Sequence, residues 1–231
     1  MASVIKPFFP FYGSKYRLAK HYPEPGRMVI EPFAGSACYS LWHQVEEVVL
    51  IDANPNIAAV WDYLLTASEE DIQNLPDVYD HNDSVDNYDI PDGAKDLIGY
   101  WLNKGSAPVK KRGAYASRDE WRSQFWRPQI KDRIASQLHA IEGWSIIKGD
   151  YSQAPMVDDA TYFIDPPYAT SGRHYKTKFY RYNELAAWSK NLPGSVIVCE
   201  EWGADWLPFT LLGEFKTFAT GSNAECVWLN E

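Results

Sequence analysis

Two rhythms of apolar and polar positions run through this chain. Short apolar runs at 28–30, 48–51, 144–147, 160–164 and 196–199 are spaced as buried strands, and an acid follows each within a few residues. Other stretches keep a helical spacing. Ala37, Cys38, Leu41, Trp42 and Val45 share one face. Ile57, Val60, Trp61 and Leu64 share another, behind an Asn54-Pro55 pair that suits a helix start with proline in first position. Further helices are predicted at 94–103, from Pro128 onward with Ile130, Ile134, Leu138 and Ile141 on one side, and at 184–190. Residues 215–218 and 225–229 predict a terminal β-hairpin turning at Gly221-Ser-Asn223.

The order strand, loop, helix, strand, acid, helix is half of a doubly wound α/β sheet. Residues 68–136 break that order with an acidic loop, a helix and a basic loop. They read as an inserted domain between two parts, 1–67 and 137–231, of one α/β domain.

Composition narrows the picture. The 231 residues are 45% hydrophobic and 15% aromatic, enough for a sizeable core. No apolar run reaches membrane-spanning length, and the first ten residues lack the charged start and long apolar region of a signal peptide. Cys38, Cys199 and Cys226 lie far apart in apolar surroundings and read as reduced core residues. A cytoplasmic location is the expectation, with no metal and no membrane partner.

The net charge of −9 excludes a protein coated in phosphate-binding residues, but the charge is uneven. From Asp62 to Asp96 there are eleven acids and one base, Lys95. From Lys104 to Arg133 there are nine bases and three acids, interleaved with Tyr115, Trp121, Phe125 and Trp126. The second stretch is a candidate nucleic-acid surface, with Lys110, Lys111, Arg112, Arg118 and Arg122 as its contacts; a solvated helical face with buried aromatics is the plainer alternative.

The densest chemistry is Asp165-Pro166-Pro167-Tyr168, directly after the 160–164 run. Ligands of open α/β sheets bind beyond the carboxyl ends of strands. There an Asp165 carboxylate can accept a hydrogen bond from a flat, neutral amine. Pro166 has no competing N–H and offers its carbonyl as a second acceptor, and Tyr168 offers a ring face for a base. A stiff turn with a satisfied acid is the alternative.

A second site is suggested upstream. Glu31-Pro-Phe33-Ala-Gly35 is a strand-to-helix turn with a single glycine and neither a GxGxxG pattern nor a phosphate-loop lysine. Asp52 ends the next strand, where an acid can hold both ribose hydroxyls; a cap for the following helix is its other reading. One ribose acid without a pyrophosphate cradle fits S-adenosylmethionine. Asp150 can accept from the cofactor's adenine amine or serve as a turn acid. Lys15 can meet its carboxylate, and an aromatic of Phe11-Tyr12 can cover its sulfonium; Lys15 can also be a plain surface charge.

Taken together these residues resemble the Dam-like (D12 class) DNA adenine-N6 methyltransferases. Phe11 with Gly13-Ser14-Lys15, then Glu31 to Gly35, Asp52, Asp150 and Asp165 to Tyr168 match that family's motifs in order. The acidic 62–96 block and the uncharged Gly221-Ser-Asn-Ala224 segment depart from it. The resemblance implies a Rossmann-like class I methyltransferase sheet, seven-stranded and mostly parallel, with a small helical target-recognition insertion. It implies S-adenosylmethionine held by Phe11, Tyr12, Lys15, Glu31, Phe33, Gly35, Asp52, Asp150 and Asp165, and double-stranded DNA methylated at adenine N6 through Asp165, Pro166, Pro167 and Tyr168. Two other readings stay open: the same chemistry on cytosine N4, RNA or a protein amide, and a non-catalytic acidic protein that mimics DNA.

Overall fold

The computed structural model describes residues 5–78, 84–103, 105, 126–169, 179, 181–217 and 221–230. Among them seven strands form one sheet: β1 (Met28–Glu31), β2 (Glu47–Asp52), β3 (Ser145–Lys148), β4 (Ala160–Ile164), β5 (Ser195–Glu201), β6 (Thr210–Thr217) and β7 (Gly221–Leu229). Their order is β3-β2-β1-β4-β5-β7-β6. β1 to β5 run parallel, and β7 lies antiparallel between β5 and β6. This is the seven-stranded, mostly parallel sheet of class I methyltransferases, as the resemblance implies.

The period-two geometry of a strand sends alternate side chains into two cores. Phe163, Ile197 and Cys199 join one, while Tyr162, Ile164, Val196 and Val198 join the other. Helix α1 (Cys38–His43) is shorter than the apolar spacing suggests. Gln44 turns left-handed (φ 51°) and ends it, so Val45 reaches the core from outside the helix.

Helix α2 (Pro55–Thr66) starts where proline predicts. Asn54 accepts a hydrogen bond from the Asn56 N–H, and Ile57, Val60, Trp61 and Leu64 are fully buried. Each such side chain contributes about 1.5–3 kcal/mol by leaving water.

The acidic stretch holds a helix that its pattern hides. In α3 (Glu69–Gln73) only Ile72 is buried, and a Ser68–Asp71 capping box starts it. Helix α4 (Asp92–Leu102) packs on α2 across Gly93, where a Cβ would come within 2.1 Å of the Ala59 carbonyl. Helices α5 (Pro128–Gln137) and α6 (Tyr182–Lys190) are the remaining α-helices among the described residues.

The hairpin departs from expectation. Its strands extend further, and Gly221, Ser222 and Asn223 pair with Thr217, Lys216 and Phe215 instead of forming the turn. Among the described residues no helix is long and apolar enough to cross a membrane.

Candidate active site

Every parallel strand delivers an acid to the carboxyl edge of the sheet. Across the sheet these are Asp150 after β3, Asp52 ending β2, Glu31 ending β1, Asp165 after β4 and Glu200 near the end of β5. The first four line one cleft of about 690 Å³, a size suited to a nucleoside-type ligand. All nine residues expected to hold a cofactor lie on its wall: Phe11, Tyr12, Lys15, Glu31, Phe33, Gly35, Asp52, Asp150 and Asp165.

The β1–α1 turn shapes the middle of the cleft. Gly35 is left-handed (φ 47°), and a Cβ there would meet the Phe11 ring at 3.1 Å. The Gly35 N–H donates to Asp52 Oδ2 at 3.0 Å, and its carbonyl accepts from Trp61 Nε1 at 2.8 Å. Helix α1 begins after a left-handed Ala37, which has no side chain to cap it. Glu31 does that work instead, accepting from the Ser40 N–H at 3.1 Å and from its hydroxyl. Burial pushes the Glu31 carboxyl up to about 8, against the opposing pull of the Ser40 bonds.

Asp52 is fixed by backbone alone. Oδ1 accepts from the Asn54 N–H at 2.8 Å and Oδ2 from Gly35, and burial lifts its pKa to about 6 against those bonds. The helix cap itself is Asn54. At the far end, Asp150 accepts from the Ser152 N–H and hydroxyl and pairs with Arg181. Burial opposes its charge, but these partners outweigh it and hold the carboxyl below its ordinary value. Arg181 lies over the Tyr151 ring, 5.1 Å from its centroid, and Phe33 stacks on Tyr151 with centroids 5.6 Å apart. That end is therefore an aromatic wall with one acid, paired to Arg181.

The catalytic-motif end is built differently. Asp165 Oδ1 lies 2.8 Å from Lys15 Nζ, and Lys15 is only 7% exposed. The same ammonium lies 3.7 Å from Glu225 Oε1 and 4.4 Å from the Tyr168 ring centroid. Tyr168 donates its hydroxyl to Glu225, as does Tyr22 at 2.8 Å. Burial raises Asp165 to about 6, with Lys15 lowering it and Glu225 raising it. Of the motif, Asp165 and Pro167 line the cleft, Pro166 is buried, and Tyr168 packs against Lys15. The loop is held from outside by Tyr182, whose hydroxyl donates to the Pro167 carbonyl at 2.8 Å, and by Glu200, which accepts from the Ala169 N–H.

Lys15, expected to meet a cofactor carboxylate, lies on the cleft wall and pairs there with Asp165 and Glu225. Glu225, Tyr22, Glu200 and Arg181 were not singled out from the sequence. The one signal for Glu225 was a lone acid beside the apolar Cys226 and Val227.

Lys110, Lys111, Arg112, Arg118 and Arg122 lie outside the described residues. Three neighbours in that stretch have interior roles. Lys131 is buried, pairs with Asp77 at 2.8 Å and donates to the Leu75 carbonyl. The Arg133 guanidinium packs 5.1 Å from the Trp101 ring centroid. Trp126, counted with the interleaved aromatics, is fully buried and donates to the Pro76 carbonyl.

Sheet order, strand-end acids and cleft define a protein of the class I methyltransferase fold. Residues 11–90 match the family described as D12 class N6 adenine-specific DNA methyltransferase, which is the family the motifs resemble. That span covers the N-terminal loop, the β1–α1 turn and Asp52, and ends before the Asp165 motif. Among solved structures, the chain is similar to the Escherichia coli protein yhhF, provisionally named a methyltransferase: 11% identity, 94% of this chain and 81% of that one covered, TM-score 0.40. It is similar also to the Haemophilus influenzae protein HI0767, provisionally named a methylase: 12% identity, 96% and 91% covered, TM-score 0.35. No curated protein matches the chain. The fold and the family match support methyl transfer as the activity.

Proposed function

We propose that this protein transfers a methyl group from S-adenosylmethionine to the N6 amine of adenine in double-stranded DNA. The observation that carries the reading is a single cleft joining Asp165 to the glycine turn, Asp52 and Asp150. Its residues fit the cofactor. Asp52 keeps lone pairs for a ribose diol beyond its two backbone bonds, the Phe33 ring on the cleft wall offers a surface to a purine, and the close approach at Gly35 leaves no phosphate cradle.

When bound, S-adenosylmethionine supplies a methyl group on a cationic sulfur. The chain's own part is to receive and orient the amine. An adenine must leave the duplex to reach the cleft. Asp165, ionised above about pH 6, then accepts a hydrogen bond from N6, with the Pro166 carbonyl as second acceptor. Because Lys15 lies over the Tyr168 ring, the base stacks on the opposite face. Held by the cleft residues named above, the cofactor would supply its methyl group to the N6 lone pair and depart as a neutral thioether, with the surplus N6 proton passing to solvent. Orientation and preorganised charge supply the acceleration. Lys110, Lys111, Arg112, Arg118 and Arg122 are the proposed DNA contacts of the 68–136 insertion.

The test is a transfer assay with labelled S-adenosylmethionine on unmethylated genomic DNA, followed by nucleoside analysis. N6-methyladenine is the expected product. Label appearing in RNA, protein or cytosine N4 but not in adenine of DNA overturns the substrate assignment.

A further inference from the structure

Glu225 belongs to none of the motifs, yet it ties together the chemistry at the base of the cleft. It is 5% exposed and comes from β7, the one strand running against the others beside β5. Its Oε1 gathers three groups from three distant segments: the Tyr22 hydroxyl from ahead of β1, the Tyr168 hydroxyl from the catalytic loop, and the Lys15 ammonium from the N-terminal loop. A buried carboxylate is costly unless its oxygens are satisfied, and here Oε1 accepts from two hydroxyls and faces an ammonium.

Two consequences follow from that placement. The ring of Tyr168 is fixed at two points, its hydroxyl on Glu225 and its face against Lys15. And one ammonium stands between two carboxylates, Lys15 between Asp165 and Glu225, so Lys15 does not neutralise the base of the cleft. Methyl transfer moves a positive charge from sulfur toward nitrogen at that place, and preorganised negative charge favours such a transition state.

We infer that Glu225 is a positioning residue for methyl transfer, clasping Tyr168 and Lys15 behind Asp165 and keeping the cleft floor negative. The inference rests on the function proposed above. Its physical basis is independent, because the charge of Glu225 bears on Asp165 whether or not a cofactor is bound.

The variant is Glu225→Gln, which keeps size and an acceptor for the hydroxyls but removes the charge. The ionisation midpoint of Asp165 is followed by carbon NMR in the apo protein, with Asp165→Asn giving the assignment. Around Asp165, besides Lys15 and Glu225, the titratable groups are Tyr22, Glu31, Cys38, Tyr168, Cys199 and Glu200. Tyr22, Cys38, Tyr168 and Cys199 are pushed up by burial and stay neutral from pH 5 to 8. Glu31 and Glu200, also raised by burial, are common to wild type and variant and cancel in the difference. Glu225 raises Asp165, so the midpoint moves down in Glu225→Gln and returns toward wild type in Glu225→Asp.

In single-turnover transfer, Glu225→Gln is expected to fall about tenfold or more at pH 8, with its acid limb shifted to lower pH and cofactor affinity little changed. An unmoved Asp165 midpoint overturns the inference. So does a rate loss that only follows loss of folded protein. A wild-type enzyme that methylates no DNA removes the proposed function instead; the clasp is then judged by the apo titration alone.

Discussion

Asp52 ends β2 and Asp165 follows β4, the two neighbours of β1, and burial lifts both to about pH 6. They are held in opposite ways. Asp52 is gripped by two backbone N–H groups, so its direction is set by the turn and it has no cation beside it among the described contacts. Asp165 is gripped by the side chain of Lys15, and its ionisation is set by charges from two other segments, Lys15 lowering its pKa and Glu225 raising it. A carboxylate fixed by backbone suits static recognition of hydroxyls. One fixed by side chains suits a place where charge changes during reaction. One cleft thus pairs a rigid end with a charge-tuned end.

The largest effect expected from breaking this contrast is at Asp165. Replacing it with alanine should lower transfer by about a thousandfold or more while cofactor binding stays measurable by calorimetry. Full activity in Asp165→Ala would remove its assigned role.

Next is Asp52→Ala, which should weaken cofactor binding about tenfold to a hundredfold and cost about 1–3 kcal/mol of stability, because the Gly35 and Asn54 N–H groups lose their acceptor. At saturating cofactor its rate should recover. A rate defect at saturation with unchanged affinity would show that the two ends do not divide the work.

A third change leaves both carboxylates alone. Replacing Lys110, Lys111 and Arg112 with alanine should weaken DNA binding and reduce the slope of log affinity against log salt by about 0.9 per lost phosphate contact, with cofactor affinity unchanged. An unaltered slope takes that stretch out of the interface.

The smallest effect concerns Glu31, between the two ends. Its folded pKa, about 8, lies above its ordinary value of 4.5. Its contribution to stability is therefore full below about pH 4.5 and lost as pH rises through about 8. Glu31→Gln keeps an acceptor for Ser40 and removes the titration. Denaturant melts should show it matching wild type at pH 5 and exceeding it by about 1–3 kcal/mol at pH 8.5. A constant difference at both pH values would place the cost elsewhere.

The strands were legible because each is a compact apolar run cut off by an acid, and the start of α2 because Asn54-Pro55 can do little else. Three misjudgements have local causes. Helix α1 ends early because Gln44 takes a left-handed conformation that nothing in its side chain announces. Helix α3 has one buried residue and so no periodicity to detect. Gly221-Ser-Asn223 has the composition of a turn, yet pairing with 215–217 draws it into β7. At the site, the acids could be read from the sequence because they close strands. The setting of Asp165 could not, since Lys15 reaches it from the N-terminal loop and Tyr168 meets Glu225 across 57 positions, and propensity is silent on such contacts.

The bond between Tyr22 and Glu225 spans 203 positions. A ribosome synthesising this chain delivers the glycine turn, Asp52 and Asp165 well before it delivers β7, so the cleft walls precede the clasp that finishes them. Contacts of such long separation close late in folding. A nascent or prematurely terminated chain would carry a nearly complete cleft with an unclasped catalytic loop. On the reading proposed above, competence for transfer waits until β7 has inserted between β5 and β6.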